Sequence, residues 1–170
     1  MNAGVINFAV YENGSEFLGL AKVTFPDSAN KTFTVNGAGI AGDVDIPVVG
    51  HKDAMRVTFD FTDNPEAAYK LSEERRHLID CRVAHEEYDS TAGRIVVKAY
   101  KHILDIMPIT QSGGDVAPAS AQGTTVECTV FSRKDYIDGK LVRHYEPLKF
   151  IDIDASGTNR LAEVQSALGK

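Results

Sequence analysis

The stretch Gly37-Ala38-Gly39-Ile40-Ala41-Gly42 is the motif most suggestive of chemistry, because it matches the G-x-G-x-x-G pattern of dinucleotide-binding sites. In such sites the motif opens a helix whose N-terminus holds the pyrophosphate. Here Asp43-Val44-Asp45-Ile46-Pro47 follows. Its two acidic residues would repel a phosphate, and its proline disfavours a helix. The sequence therefore predicts no bound cofactor at this position.

Residues 37–50 are instead a predicted loop, because they are rich in glycine and proline and have no hydrophobic periodicity. Long loops inside compact domains are usually functional or disordered. We interpret this one as a flexible segment that reaches a neighbouring subunit. The candidate contact residues are Gly37, Ala38, Gly39, Ile40, Ala41, Gly42, Asp43 and Asp45.

The histidines, cysteines and serines form no catalytic or metal-binding signature. His85-Glu86-Glu87-Tyr88-Asp89 begins like a zinc-protease motif, but no second histidine follows at helical spacing. Cys128 and His144 match no nucleophile signature, and no serine lies in G-x-S-x-G. Cys81 and Cys128 are predicted to be buried free thiols, since each lies in a predicted strand without metal-ligand spacing. We predict no catalytic residue, metal or cofactor.

Composition predicts one acidic domain. The chain has 170 residues, of which 43% are hydrophobic, and this is enough for one sizeable core. Its formal net charge of -6 argues against tight binding to nucleic-acid phosphates, which requires clustered Lys and Arg. The sequence contains neither a secretion signal nor the run of ~18 apolar residues that a membrane span needs. We expect a single domain over residues 1–170, made in the cytoplasm without a membrane anchor.

The clearest predicted element is a long hairpin in the C-terminal half. Val126, Cys128 and Val130 alternate with polar residues, as a half-buried strand requires. Asp138-Gly139 supplies two residues that tolerate positive φ, so a type I′ turn can send the chain back through residues 141–145. An isolated hairpin is marginal in water, so other strands must pack beneath it.

The rest of the chain supplies those strands. Period-two patterns and turn signals predict strands at residues 5–11, 17–25, 31–35, 55–61, 79–88 and 94–106. Residues 111–123 are a predicted exposed loop, since they consist largely of Gly, Ala, Ser and Pro. The fold class expected is mainly β, with about eight antiparallel strands and two short helices.

The first helix is predicted to begin at Asn64-Pro65-Glu66, with Asn64 as its cap, and to end between Leu71 and Arg76. The run Glu73-Glu74-Arg75-Arg76 is interpreted as a solvated helix face. A second short helix follows residues 156–159, which are its predicted cap.

Four motifs then occur in order along the chain. They are Asn13-Gly14 with Phe17-Leu18-Gly19-Leu20-Ala21-Lys22-Val23-Thr24-Phe25-Pro26, the Gly37 to Asp45 stretch, Val126-Glu127-Cys128-Thr129-Val130-Phe131 with Asp138-Gly139-Lys140, and Gly157-Thr158-Asn159-Arg160-Leu161. Together they resemble the major tail tube proteins of contractile phage tails and R-type tailocins. Over residues 63–105 the resemblance lies in the order of the predicted elements, a helix followed by a hairpin, rather than in the individual amino acids.

The resemblance implies a β-sandwich-like fold whose subunits form hexameric rings. Inner strands from all subunits would close into one β-barrel around a lumen, and the rings would stack into a tube within a virion made in the host bacterium. The implied partners are the tail sheath protein, baseplate or tube-initiator proteins and tail terminator proteins. An acidic lumen would repel DNA phosphates, so that DNA passes through without specific binding.

Two other functions remain open from the residues alone. A cytoplasmic ligand-binding β-barrel would need a preformed apolar pocket, which the sequence does not reveal. A type VI secretion-like tube protein would share the tube architecture. The sequence does not distinguish a phage from a headless tailocin.

Overall fold

The computed structural model describes residues 1–19 and 22–170. Within them the chain forms strands β1 Asn2–Glu12, β2 Glu16–Leu18, β3 Lys22–Thr24, β4 Asn30–Val35, β5 Val44–Lys52, β6 Arg56–Phe61, β7 His77–Asp89, β8 Arg94–Ser112, β9 Thr124–Ile137, β10 Lys140–Glu146 and β11 Ile151–Ile153. Helix α1 is Glu66–Leu71, α2 is Ala162–Ala167, and a 3-10 helix covers Pro147–Lys149. This mainly β architecture with two short α-helices confirms the predicted fold class.

One antiparallel sheet contains nine of these strands, in the order β11-β10-β9-β8-β7-β1-β2, and β6 with β3 forms a branch from β9. The branch exists because β9 has two partners on the edge away from β8. Its first half pairs with β6, in the register Val57↔Cys128, and its second half pairs with β10. Strands β4 and β5 form a separate two-stranded sheet.

The core lies where the inner faces of β1, β6, β7, β8 and β9 meet. Its fully buried side chains belong to one cluster, so the sheet must curl around them, and α1 adds Ala68 and Leu71 to the same cluster. The strand residues at its centre are Val10, Val57, Phe59, Ile79, Leu104, Ile106, Val126 and Cys128. Alternate residues on these strands point to the opposite face, as the period-two sequence pattern predicted.

The hairpin turn between β9 and β10 forms at the predicted residues. Asp138 and Gly139 have φ of 48° and 80°, the two positive values that a type I′ turn requires. The turn brings Lys140 opposite Ile137 and so sets the register of the hairpin. The predicted hairpin is confirmed, as is the second one formed by β7 and β8.

Both helices begin differently from the prediction. Asn64 does not cap α1, whose first turn follows Pro65. The Asn64 side chain instead donates to Tyr69 Oη at 2.7 Å and accepts a hydrogen bond from Thr124 Oγ1 at 3.1 Å. Helix α2 likewise has no side-chain cap, because Asn159 Oδ1 accepts from Asp152 N and Leu161 N, ahead of the helix, and its Nδ2 donates to Phe150 O. Tertiary contacts have therefore displaced the local capping pattern.

The predicted loop over residues 37–50 is only partly a loop. Residues 36–43 form the turn of a hairpin, whereas residues 44–50 belong to β5 and pair with β4. Pro47 and Gly50 favour a loop in the sequence, but β5 has a strand on one side only, and proline is found in such edge strands. The predicted strand at 17–25 consists of β2 and β3, with Leu20 and Ala21 outside the described residues.

Candidate functional site

The candidate inter-subunit residues lie at the tip of the β4–β5 hairpin. Gly37 to Asp43 form the exposed turn, and Ile40 N donates to Gly37 O at 3.2 Å. Gly37 and Gly39 have φ of 140° and 90°, conformations that favour glycine. Asp45 belongs to β5 instead, where its Oδ1 accepts a hydrogen bond from Thr34 Oγ1 at 2.6 Å. The glycine-rich motif thus makes a hairpin turn, and no helix follows it to hold a phosphate.

One face of this hairpin is apolar and uncovered. Phe33 lies opposite Ile46, and Val35 lies opposite Val44, so these four side chains share a face. Phe33, Val44 and Ile46 are 51%, 55% and 40% exposed. We call these four residues the hairpin face. A two-stranded sheet is marginal in water on its own, and this one leaves its apolar side in contact with solvent.

The base of the hairpin is tied to the C-terminal segment. Gly50, in β5, has a φ of +65°, and a Cβ placed on it would lie 2.1 Å from Leu161 Cδ2. At the same level Asp53 N donates to Ala29 O at 2.9 Å, which closes the hairpin neck. The hairpin is therefore held at its base while its tip and its apolar face project from the subunit.

The other residues considered for chemistry are dispersed over the sheet. His85 is in β7, and its ring is tilted by 45° against that of Tyr100, with ring centroids 4.1 Å apart. His144 is in β10, where its Nε2 lies 3.4 Å from Glu146 Oε2. Within residues 1–19 and 22–170, no three His, Cys, Asp or Glu side chains are placed to hold a metal ion. No helix in the same residues is long and apolar enough to cross a membrane.

The two cysteines are buried in the core as free thiols, as predicted. Cys81 lies in β7 and Cys128 in β9, both on the inner face. Burial raises the pKa of each thiol to about 12, with a smaller contribution from the neighbouring Asp80 or Glu127. Neither thiol is therefore available as a nucleophile at neutral pH.

A buried polar cluster that the sequence analysis missed joins β1 to β7. Glu12 and His77 are 1% and 0% exposed, and Glu12 Oε1 lies 2.5 Å from His77 Nδ1. Arg75 Nη2 donates to the same oxygen at 2.9 Å, and His77 Nε2 lies 3.1 Å from Glu73 O. The charge run interpreted as a solvated helix face in fact follows α1, and its Arg75 reaches this buried carboxylate.

A second polar cluster surrounds Asp135 in β9. His102 Nδ1 lies 2.6 Å from Asp135 Oδ1, and Arg133 Nε donates to Asp135 Oδ2 at 2.9 Å. Burial raises the pKa of this carboxyl, but the His102 hydrogen bond and the Arg133 charge outweigh burial and hold it below its ordinary value. Arg133 also donates to Pro26 O at 2.9 Å, so the cluster fastens the chain after β3 to the sheet.

The face of the sheet away from the core carries a shallow groove of about 740 Å³. Small side chains such as Ala9, Ala84 and Ala99 lie in it, bordered by Arg82 and Lys101. It spans β1, β7 and β8 and is open to solvent rather than enclosed in the interior of a barrel. A ligand-binding barrel requires an enclosed apolar cavity, and this groove does not provide one.

The profile of the phage tail tube protein FII family matches residues 3–169. The chain belongs to that family. The match extends over almost the whole chain, including the hairpin face, both polar clusters and the C-terminal helix. The resemblance of the four sequence motifs to tail tube proteins is thereby confirmed, and the role of this tail tube protein is structural.

Solved structures show the same fold. A chain in the sheath-tube complex of the PVC extracellular contractile injection system, in its extended state, is 12% identical with a TM-score of 0.54, covering 76% of the tail tube protein and 88% of that chain. A chain in the six-fold symmetrised baseplate of the anti-feeding prophage is 8% identical with a TM-score of 0.52, covering 76% and 90%. At such identities the likeness concerns the fold alone. No curated protein matches the sequence.

Proposed function

We propose that this protein self-assembles into hexameric rings that stack as the inner tube of a contractile phage tail or phage-tail-like particle. The lumen would conduct DNA or ejected cargo, and the protein would have no enzymatic activity. The observation that carries the proposal is the family match over residues 3–169. The six-fold symmetrised baseplate that contains a similar fold supports the ring size.

The partners proposed are those of a tube inside a contractile machine. A similar fold occurs in a sheath-tube complex, in a sheath/tube terminator and in a baseplate. We infer that a tail sheath protein surrounds this tube, that baseplate or tube-initiator proteins begin it, and that a terminator ends it. The chain would act as one domain over residues 1–170, within a virion assembled in the host bacterium.

The hairpin tip and the hairpin face are proposed as contacts between subunits. Ile40 at the tip and Phe33 on the face are exposed in the subunit, and burying such side chains stabilises a contact by about 25 cal/mol per Å² of apolar surface. The fixed base at Gly50 allows the projecting part to reach a neighbouring subunit or the next ring. Covering the face would also supply the partner that a two-stranded sheet needs.

Assembly should depend on salt because the subunit is acidic. The formal charge of -6 makes neighbouring subunits repel one another, and salt screens this repulsion over a Debye length of about 8 to 10 Å. Sedimentation and negative-stain microscopy at increasing salt and protein concentration test the proposal. We expect tubes whose yield rises with salt and whose bore has net negative charge. A chain that stays monomeric at high concentration and high salt would show that the proposed function is wrong.

Replacement of Ile46 by Thr tests the hairpin face. The change keeps a β-branched side chain but removes apolar surface, so we expect weaker assembly with an intact β-core by circular dichroism. Val116→Thr is the matched control, since Val116 is 87% exposed and lies in the β8–β9 connection. Deletion of residues 38–41 should block assembly as well. Equal assembly of the Ile46 and Val116 variants would argue against this contact.

Hydrogen exchange provides a second test of the hairpin. Its amides should exchange rapidly in free subunits and slowly in tubes, because the hairpin has little apolar support of its own. The core strand β7 serves as internal control and should be protected in both samples. Equal protection of residues 37–50 in subunit and tube would contradict an inter-subunit role for this segment.

A further inference from the structure

Two asparagines of this chain directly precede a glycine, in the pairs Asn13-Gly14 and Asn36-Gly37. Such a pair can react with itself, because the glycine nitrogen can attack the amide carbon of the asparagine side chain and glycine has no Cβ to obstruct the approach. The reaction requires a side-chain amide and a glycine N–H that are free of other contacts, and a backbone that can rotate to bring them together. The two pairs differ in how well they meet these requirements.

The pair at the tip of the β4–β5 hairpin meets them. Asn36 directly follows β4, and both Asn36 and Gly37 are exposed. Within residues 1–19 and 22–170, no hydrogen bond joins the Asn36 side chain or Gly37 N to another group. A Cβ placed on Gly37 would meet nothing within 4 Å, so the space around the turn is open. Both reacting groups therefore lie free in a solvated turn.

The other pair is fixed by its surroundings. It belongs to the short connection between β1 and β2, which pair up to Glu12↔Glu16. Asn13 N donates to Leu78 O at 2.9 Å. Asn13 and Gly14 have φ of 53° and 76°, so both residues are held in the left-handed region. Rotation of this backbone would break its hydrogen bond to β7, so the same reaction should be slower here.

Other asparagines do not precede a glycine, and their amides are engaged where the structure describes them. The side chains of Asn7, Asn30, Asn64 and Asn159 all take part in hydrogen bonds. Among the asparagines whose side chains are described, Asn36 thus combines a following glycine, a free amide and an open turn.

We propose that Asn36 is a site of spontaneous covalent modification in the free subunit. Gly37 N forms a bond to Asn36 Cγ, the Cγ–Nδ2 bond breaks, and the amide group leaves as ammonia with the proton of the glycine N–H. The product is a cyclic succinimide. Water then opens the ring, giving aspartate when it attacks Cγ and isoaspartate when it attacks the main-chain carbonyl carbon.

Either product places a new negative charge where the hairpin already carries one. The register Thr34↔Asp45 and Val35↔Val44 continues to a position in which residue 36 lies opposite Asp43. Like charges directly opposite each other destabilise a strand pair. Isoaspartate also adds one carbon atom to the main chain of the turn, which disturbs the register of the two strands. Modification should therefore weaken the contact proposed for this hairpin, and this consequence, unlike the modification itself, rests on the proposed tube function.

Peptide mapping of free subunits tests the modification. Trypsin cleavage after Lys31 and Lys52 releases residues 32–52, in which Asn36 is the only asparagine and no glutamine occurs. After incubation of the folded protein at mildly alkaline pH, the mass change of amide hydrolysis should appear at Asn36 in a fraction several-fold larger than at Asn13. In protein unfolded by urea the two sites should react at similar rates, because the fold no longer restrains Asn13. Equal rates in the folded protein, or an Asn36 that stays intact, would overturn the proposal.

Tube assembly by matched variants tests the consequence. Asn36→Asp should lower the yield of sedimented tubes, whereas Asn13→Asp, which adds the same charge elsewhere, should not. Asn36→Gln would have to close a larger ring, so its tube yield should stay constant during incubation while that of the wild-type protein falls. An unchanged yield from wild-type protein whose Asn36 has been converted would overturn the effect on assembly. If fresh wild-type protein forms no tubes, the proposed function itself has failed, and the peptide map still decides whether Asn36 is modified.

Discussion

Truncating the buried carboxylate at Glu12 should strongly destabilise the subunit. Its Oε1 is bound by His77 Nδ1 at 2.5 Å and by Arg75 Nη2 at 2.9 Å, and Glu12 and His77 are almost completely buried. Both ring nitrogens of His77 lie within hydrogen-bond distance of an oxygen, Nδ1 of Glu12 Oε1 and Nε2 of Glu73 O. Glu12→Ala would remove the oxygen that Arg75 and the buried His77 ring share, and breaking a buried cluster of this kind by removing one partner costs about 3 to 5 kcal/mol.

The expected change in melting temperature follows from the size of the chain. For a domain of this length, 1 kcal/mol lowers the melting temperature by about 2 to 4 °C, so Glu12→Ala should lower it by about 6 to 20 °C. Scanning calorimetry of free subunits at low protein concentration measures this. The matched control is Glu16→Ala, because Glu16 pairs with Lys70 at 3.4 Å on the surface. That exposed pair contributes about 1 kcal/mol or less.

A double-mutant cycle separates the contact from the loss of either side chain. Glu12→Ala, His77→Ala and the double variant should show a coupling free energy of about 0.5 to 3 kcal/mol, since the two groups share one hydrogen bond. A coupling indistinguishable from zero would refute the assignment of stability to this contact. A Glu12→Ala variant as stable as the Glu16 control would refute the argument from burial.

Three further predictions concern the subunit. Gly50→Ala should lower stability by about 1 to 3 kcal/mol in urea unfolding, because the new Cβ would overlap Leu161 at a positive φ. Cys81 and Cys128, whose pKa is about 12, should react with a thiol reagent only after denaturation. The lowered pKa of Asp135 stabilises the fold above its ordinary value of 3.8 and ceases to do so as pH falls through the folded value, so Asp135→Asn should reduce the acid sensitivity of unfolding.

Each of these has a control within the chain. Gly14→Ala places a Cβ in open space at a similar positive φ, so it should cost less than Gly50→Ala. An added exposed cysteine at position 116 should react at once in the native protein. Glu74→Gln lies outside the Asp135 cluster, so it should change little the dependence of the unfolding free energy on pH in the acidic range. Rapid native reaction of the buried thiols, or identical acid unfolding with and without Asp135, would contradict the respective prediction.

The strands were predictable where the local pattern and the tertiary environment agree. Residues 56–61 and 124–130 alternate between a buried and an outward-facing side because each strand has the core on one face only. The Asp138-Gly139 turn was predictable for the same reason, since two positive φ values are required at two adjacent residues. Such local rules locate a hairpin but not its neighbours in the sheet.

The features that the sequence did not reveal depend on contacts between distant segments. Arg75 and Glu12 are 63 residues apart, and no spacing rule predicts that a carboxylate at the end of β1 is buried by a charge run after α1. Strand β5 contains Pro47 and Gly50, which favour a loop when only the sequence is considered. Pro47 is tolerated because β5 has a single partner strand, and Gly50 is needed because Leu161 packs where a side chain would lie. The candidate tip residues were recognised, but not the hairpin that carries them.

In this subunit, the residues that form the folded core are different from the exposed residues proposed to contact other subunits. Its apolar core is enclosed by β1, β6, β7, β8 and β9. Among the exposed apolar side chains, Phe33, Val44 and Ile46 lie on the β4–β5 hairpin, and Ile95 and Val97 lie at the end of the β7–β8 hairpin, all outside that core. Loss of a contact on the β4–β5 hairpin should therefore impair assembly without unfolding the chain. Asn7 Oδ1 also accepts from Phe8 N in β1, and Asp138 Oδ1 accepts from Ala99 N in β8, so these two backbone groups are not available to a further strand.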